Sequence, residues 1–112
     1  MTPAASPAPT FAALGDDTRW AILVRLGRAP ASASALAAEM PITRQAIVHH
    51  IDVLRAVGLV EAERVGRQVR FRPIGARLTA LGRDLQVMAD AWDRRLSALK
   101  ARAEADTAPD SG

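Results

Sequence analysis

"PITRQAIVHHIDVLRAVGLVEAERVGRQVRF", residues 41–71, begins with helical periodicity and ends with strand alternation. Pro41 halts any helix arriving from its N-terminal side, because its ring clashes with the preceding turn and supplies no N–H. Thr43 then caps a new helix over about 44–56, and Gly58 follows where a left-handed glycine cap usually closes one. "LVEAERV" and "QVRFRP" read as two strands around a two-residue turn at Gly66 and Arg67. That register sets Val65 opposite Gln68, Glu63 opposite Arg70 and Glu61 opposite Arg72. Two opposite-charge pairs result, each contributing roughly 0.2–1 kcal/mol. Val60, Ala62, Val69 and Phe71 point the other way, toward a core.

On the helix, Ile47, Ile51 and Leu54 share one face, with His50 and Val57 at its edge. Arg44, Gln45, Val48, His49, Asp52 and Arg55 spread over the opposite side. The two histidines project about 100° apart, which suits no shared metal ion. His50 reads as a packed, hydrogen-bonded residue, and His49 as an outward donor to a phosphate or base.

Working outward, Ser32 caps a short helix holding Leu36, Ala37 and Met40. Asp16 or Asp17 caps another whose buried stripe is Ile22, Leu23 and Leu26. Phe11 to Leu14 lie in a first helix interrupted at Gly15. One last helix runs from about Ala76 to Ala103, roughly 40 Å at 1.5 Å per residue. Residues 1–9 and 104–112 read as disordered tails flanking one domain over 10–103. The class is mainly α with a small β-hairpin, five helices plus a two-stranded wing: a winged helix-turn-helix.

Composition agrees. The 112 residues are 49% hydrophobic and 24% charged, with no cysteine. Disulfides, thiolate metal sites and a cysteine nucleophile are therefore excluded from them. No apolar run reaches membrane-spanning length, and "MTPAASPAPT" lacks the basic and apolar regions of a secretory signal, so the expectation is cytoplasmic. No acid, base and nucleophile converge in the pattern, so no enzyme, catalytic residue or cofactor is expected.

The net charge is +3, and residues 41–75 account for all of it: six arginines (Arg44, Arg55, Arg64, Arg67, Arg70, Arg72) against Asp52, Glu61 and Glu63. A local basic excess beside a helix-turn-helix is the footprint of DNA. The DNA-contacting set expected is Thr43, Arg44, Gln45, Val48, His49, Arg64 and Arg67. Arg44 and Gln45 reach base edges from the first helical turn, and Val48 offers a methyl surface to thymine. Arg64 and Arg67 at the wing turn reach phosphates, whereas Arg70 and Arg72 are occupied by Glu63 and Glu61.

Three segments carry a family resemblance: "FAALGDDTRWAILVRL" (11–26), "ITRQAIVHHIDVLRAVGLV" (42–60) and "RVGRQVRFRP" (64–73). Together they resemble the opening, recognition segment and wing of the ArsR family of bacterial winged-helix repressors. The chain departs from that pattern at Asp17 (often proline), Val48 (often serine) and Asp52 (often basic). The resemblance implies a DNA-binding repressor, dimerising through its terminal helices. Metal-binding members carry a cysteine pair before the recognition helix, where this chain reads "SASALAAEM". Others use Asp and His on the last helix, which here holds Asp84, Asp90 and Asp93 without histidine.

Leu78, Leu81, Leu85, Met88, Trp92, Leu96 and Leu99 recur at spacings of three and four. Leu78 and Leu81 suit the domain's own core. Leu85, Met88, Trp92, Leu96 and Leu99, with Phe11 and Leu14, are the expected homodimer interface, which matches an inverted-repeat operator in double-stranded DNA. The effector is unassigned. Two alternatives stand beside this reading: a nickel- or zinc-responsive repressor using His, Asp or Glu ligands, and a protein-interaction module that kept the fold, with Asp52 as its support.

Overall fold

Every helix between residues 16 and 56 starts on the cap its sequence offers. In a computed structural model, which describes residues 6–107, the Asp16 carboxylate accepts from the Arg19 N–H at 3.0 Å, the Ser32 hydroxyl from Ala35 at 3.1 Å and the Thr43 hydroxyl from Ala46 at 3.1 Å. These caps open α2 (Asp17–Arg28), α3 (Ala33–Glu39) and α4 (Arg44–Ala56). A short α1 (Ala8–Leu14) precedes them; strands β1 (Val60–Val65) and β2 (Gln68–Pro73) and helix α5 (Gly75–Thr107) follow. The described residues thus hold five helices and one antiparallel hairpin, the expected winged helix-turn-helix.

The ends differ from expectation by a turn. Helix α1 starts at Ala8, inside the stretch read as a disordered arm, and α5 continues to Thr107, past Ala103. Pro7 before the first helical residue supplies a pre-set φ, and a run of Ala, Glu and Arg favours helix at the other end. Residues 1–5 and 108–112, the remainder of both tails, lie outside the described residues.

The chain divides into two units, one ending at Leu78 and one starting at Thr79. In the first, Ile22, Leu23 and Leu26 of α2, Leu36 of α3, and Ile47, Ile51 and Leu54 of α4 form one core with Leu59 and Val60. Ala37, Met40, Val57 and Leu78 pack around it, half-buried. Gly58 adopts a φ of 79°, the left-handed cap its position predicts.

The hairpin register is the predicted one, from Val60 opposite Pro73 to Val65 opposite Gln68. Gly66 takes φ 62° at the first turn position while Arg67 stays at negative φ, which matches a II′ turn. Two expectations fail on the wing. Val60 is buried and Phe71 half-buried, but Ala62 and Val69 are exposed. A two-stranded ribbon outruns the layer beneath it, so only its base reaches the core. An unforeseen pairing also fixes that base: Phe71 and Ala31 exchange backbone hydrogen bonds at 2.8 and 3.2 Å, joining the wing to the α2–α3 connection.

The second unit is the greater part of α5. Leu81 is buried, whereas Leu85, Val87, Met88, Trp92, Leu96 and Leu99 are 46–68% exposed.

Gly58 gives the sharpest test of this packing. A Cβ there would meet the Arg77 guanidinium at 3.2 Å on a backbone already left-handed. We expect Gly58→Ala to lower unfolding stability by roughly 1–2 kcal/mol, measured by urea denaturation.

Candidate nucleic-acid interface

Helix α4 is held in rotation by three fully buried side chains, Ile47, Ile51 and Leu54. That leaves Thr43, Arg44, Gln45, His49 and Asp52 exposed, as their sequence positions imply. The Thr43 hydroxyl oxygen is taken as an acceptor by its cap, but its O–H remains a donor. Val48 departs from expectation: it is half-buried and packs on the core cluster. Its neighbours α3 and the wing rise close enough to cover part of it.

These elements enclose a cleft of about 330 Å³ lined by Ser32, Ala33, Ser34, Arg44, Val48, Arg67, Gln68, Val69 and Phe71. Two guanidinium groups, one from the recognition helix and one from the wing turn, border it, and no lining residue is acidic. Arg44 Nε donates to Ser34 Oγ at 3.1 Å, which orients the guanidinium from outside its own helix. The sequence gives Ser34 no role, places Gln68 only by strand register and assigns Val69 to the core, so none of the three is expected at this cleft. Ser34 lies ten residues from Arg44, and no local periodicity links the two.

The predicted wing set divides differently from expectation. Arg64 and Arg67 form no ion pair among the described residues, as expected. Arg72 Nε meets Glu61 Oε1 at 2.7 Å, but its Nη1 also reaches Glu63 Oε2 at 3.5 Å. Glu63 therefore pairs diagonally, and Arg70, its direct cross-strand neighbour, has no ion pair among the described residues. One guanidinium fork can serve two carboxylates, which a register argument over opposite residues does not anticipate.

Behind the helix, Arg19 joins three elements. Its Nε donates to the Ala13 carbonyl at 2.7 Å, and its Nη1 lies 3.4 Å from His50 Nδ1 and 3.9 Å from Asp16. A guanidinium only donates, so in this contact Nδ1 is the nitrogen placed to accept. His50 thus faces inward, half-buried, while His49 stays exposed with its ring edge-on at 5.7 Å. The Arg19 backbone N–H, with its guanidinium charge, holds the Asp16 carboxyl below its usual range. The hydrogen bonds from Arg25 do the same to Glu39, at 2.6 and 3.1 Å, tying α2 to α3. Among the described residues no three His, Asp or Glu side chains gather as metal ligands.

Of the expected dimer residues, Leu14 is half-buried against the core and Phe11 is half-buried, while the five on α5 are exposed.

Comparison with known proteins points the same way. A helix-turn-helix domain family matches residues 14–63. The HTH-type transcriptional regulator Rv2034 of Mycobacterium tuberculosis is 36% identical over 94 residues, covering 82% of this chain and 83% of that protein. The HTH-type transcriptional regulator CmtR of the same organism, a cadmium metal-sensor, is 42% identical over 77 residues, or 68% of this chain and 65% of its own length. Among solved structures, an ArsR-like transcriptional regulator from Rhodococcus sp. RHA1 is 52% identical with a TM-score of 0.79, covering 86% of this chain and 91% of that one. The homodimeric winged helix-turn-helix DNA-binding domain of Mb0332 from Mycobacterium bovis is 29% identical with a TM-score of 0.62, covering 74% and 77%. With fold, wing and relatives in agreement over most of its length, the chain belongs to the ArsR family of winged helix-turn-helix, DNA-binding transcriptional regulators.

Proposed function

We propose that the chain is a homodimeric repressor that binds an inverted-repeat operator in double-stranded DNA. The first turn of α4 enters the major groove and the wing turn lies on the backbone. The observation that carries this is the cleft, where Arg44 and Arg67 come from different elements to one surface without a carboxylate. Asp52, the residue favouring a protein-interaction module, does not line it. Arg44, Gln45 and His49 supply base-edge donors, Thr43 a phosphate donor and Val48 a partly shielded methyl surface. Arg64 and Arg67 neutralise phosphates. Alanine at Arg64 or Arg67 should weaken binding to operator and random duplex alike and lower the salt slope by about 1. Alanine at Arg44 or Gln45 should instead cost roughly 1–3 kcal/mol on the operator only. Anisotropy titrations across NaCl concentrations separate the two patterns, and uniform loss for all four substitutions would contradict the division.

The dimer rests on Leu85, Met88, Trp92, Leu96 and Leu99, spaced three and four apart on α5 and about half or more exposed. A stripe of that length on one helix suits a two-stranded seam, to which Phe11 and Leu14 of the first helix also contribute. The homodimeric Mb0332 domain supports the assembly. Each large side chain buried there should contribute roughly 1.5–3 kcal/mol. Light scattering of Trp92→Asp should report a monomer, with operator affinity reduced because one half-site binds more weakly than two.

The effector is not a thiolate-bound metal. CmtR senses cadmium, but these 112 residues contain no cysteine and only two histidines. Of those two, His50 faces Arg19. Carboxylates alone on an exposed helix hold transition metals weakly. We expect nickel, zinc, cobalt and cadmium at micromolar concentration to leave the operator complex intact. Calorimetry on the wild type, His49→Ala and Asp90→Ala is the check. Tight binding with loss of DNA affinity would favour a sensor built on imidazole and carboxylate ligands.

A further inference from the structure

The wing carries a charge arrangement that reaches beyond its turn. Glu61, Glu63, Arg70 and Arg72 alternate onto one face of the β1–β2 ribbon, as the register from Glu61↔Arg72 to Glu63↔Arg70 requires. Two carboxylates and two guanidiniums on one face would form two crosswise pairs. They do not. Both carboxylates converge on Arg72, at 2.7 and 3.5 Å. Arg70 is left exposed and has no ion pair among the described residues.

We propose that Arg70 is a phosphate-contacting residue of the wing, and that Arg72 is a positioning residue that keeps Arg70 available by engaging both Glu61 and Glu63. The inference rests on the wing meeting DNA. Its physical basis is competition between neighbours. A guanidinium offers an Nε edge and an Nη edge, so Arg72 accommodates two carboxylates at once, whereas a carboxylate paired to Arg70 would cancel the charge presented to a phosphate. Exposed pairs of this kind are weak, so the balance between Arg70 and Arg72 is sensitive to a single substitution. Arg72 then contributes to DNA affinity without touching DNA.

The test uses the full chain and a random-sequence DNA duplex, with anisotropy followed across a NaCl titration. Arg70→Ala should weaken binding and lower the salt slope by about 1, while Arg70→Lys retains the slope. Arg72→Ala should weaken binding roughly twofold to fivefold, the scale of an exposed ion pair, because the released carboxylates turn to Arg70. Adding Glu61→Gln and Glu63→Gln to Arg72→Ala should restore affinity, and that recovery should shrink markedly when Arg70 is also alanine. An unchanged slope in Arg70→Ala overturns the proposal. So does a recovery of equal size with and without Arg70, which would show bulk charge alone. A wild-type chain without salt-dependent binding to any duplex would remove the DNA reading itself, and that single measurement distinguishes the two failures.

Discussion

The burial of Ile47, Ile51 and Leu54 sets what the rest of the domain can do. All three are fully buried, at spacings of four and three along α4. Their positions fix the rotation of the helix about its axis, since turning it by one residue would move a polar side chain about 100° toward the core. With the rotation fixed, Arg44, Gln45 and His49 must face outward. The Thr43 cap then fixes where the helix begins, and with it which backbone N–H groups are free at the first turn. The exposed face of α4 is therefore the complement of the core, specified by the same residues that stabilise it.

The wing obeys a different constraint. An isolated two-stranded ribbon is marginal in water, so something must anchor its base. Val60 and Phe71 supply apolar contact. The backbone exchange between Phe71 and Ala31 adds a short third edge. Beyond that anchor the ribbon stands clear, and Val65 and Val69 are 41% and 45% exposed. Val69 is not wasted there, because with Val48 and Phe71 it forms the apolar wall of the cleft between Arg44 and Arg67. Exposure of an apolar residue at this point follows from the ribbon's geometry.

Local signals made much of this legible in the sequence. Caps at Asp16, Ser32 and Thr43, the glycines at 58 and 66, and the three-four spacing on α4 each act within a few residues, and each holds in the structure. What failed to show was long-range. The Ala31–Phe71 bridge spans forty residues by number, and neither partner advertises it. Arg19 reaching Ala13 and His50, Arg25 clasping Glu39, and Ser34 orienting Arg44 all join side chains from separate elements. The Glu63 pairing failed for a related reason. Register fixes which Cα atoms are opposite, but long side chains reach diagonal neighbours as readily. The partial burial of Val48 does not show because helix periodicity places a residue relative to its own helix, not relative to a wing folding over it.

The distribution of arginine now has a physical division. Arg19, Arg25, Arg72 and Arg77 donate to groups of this chain: the carbonyls of Ala13 and Val57 and the carboxylates of Glu39, Glu61 and Glu63. These guanidiniums serve as cross-links, a use that exploits their several donors more than their charge. Among the described residues, Arg64, Arg67 and Arg70 have no ion pair and Arg44 is held only by a neutral hydroxyl. Their charge is not cancelled by a close carboxylate. Within the local excess of +3 over residues 41–75, Arg72, Glu61 and Glu63 form one group of net −1, whereas the cleft is lined by two arginines and no carboxylate. At physiological ionic strength a charge is felt over about 8 Å. Which cations lie beside which anions therefore matters more to a phosphate at this surface than the net charge of the chain.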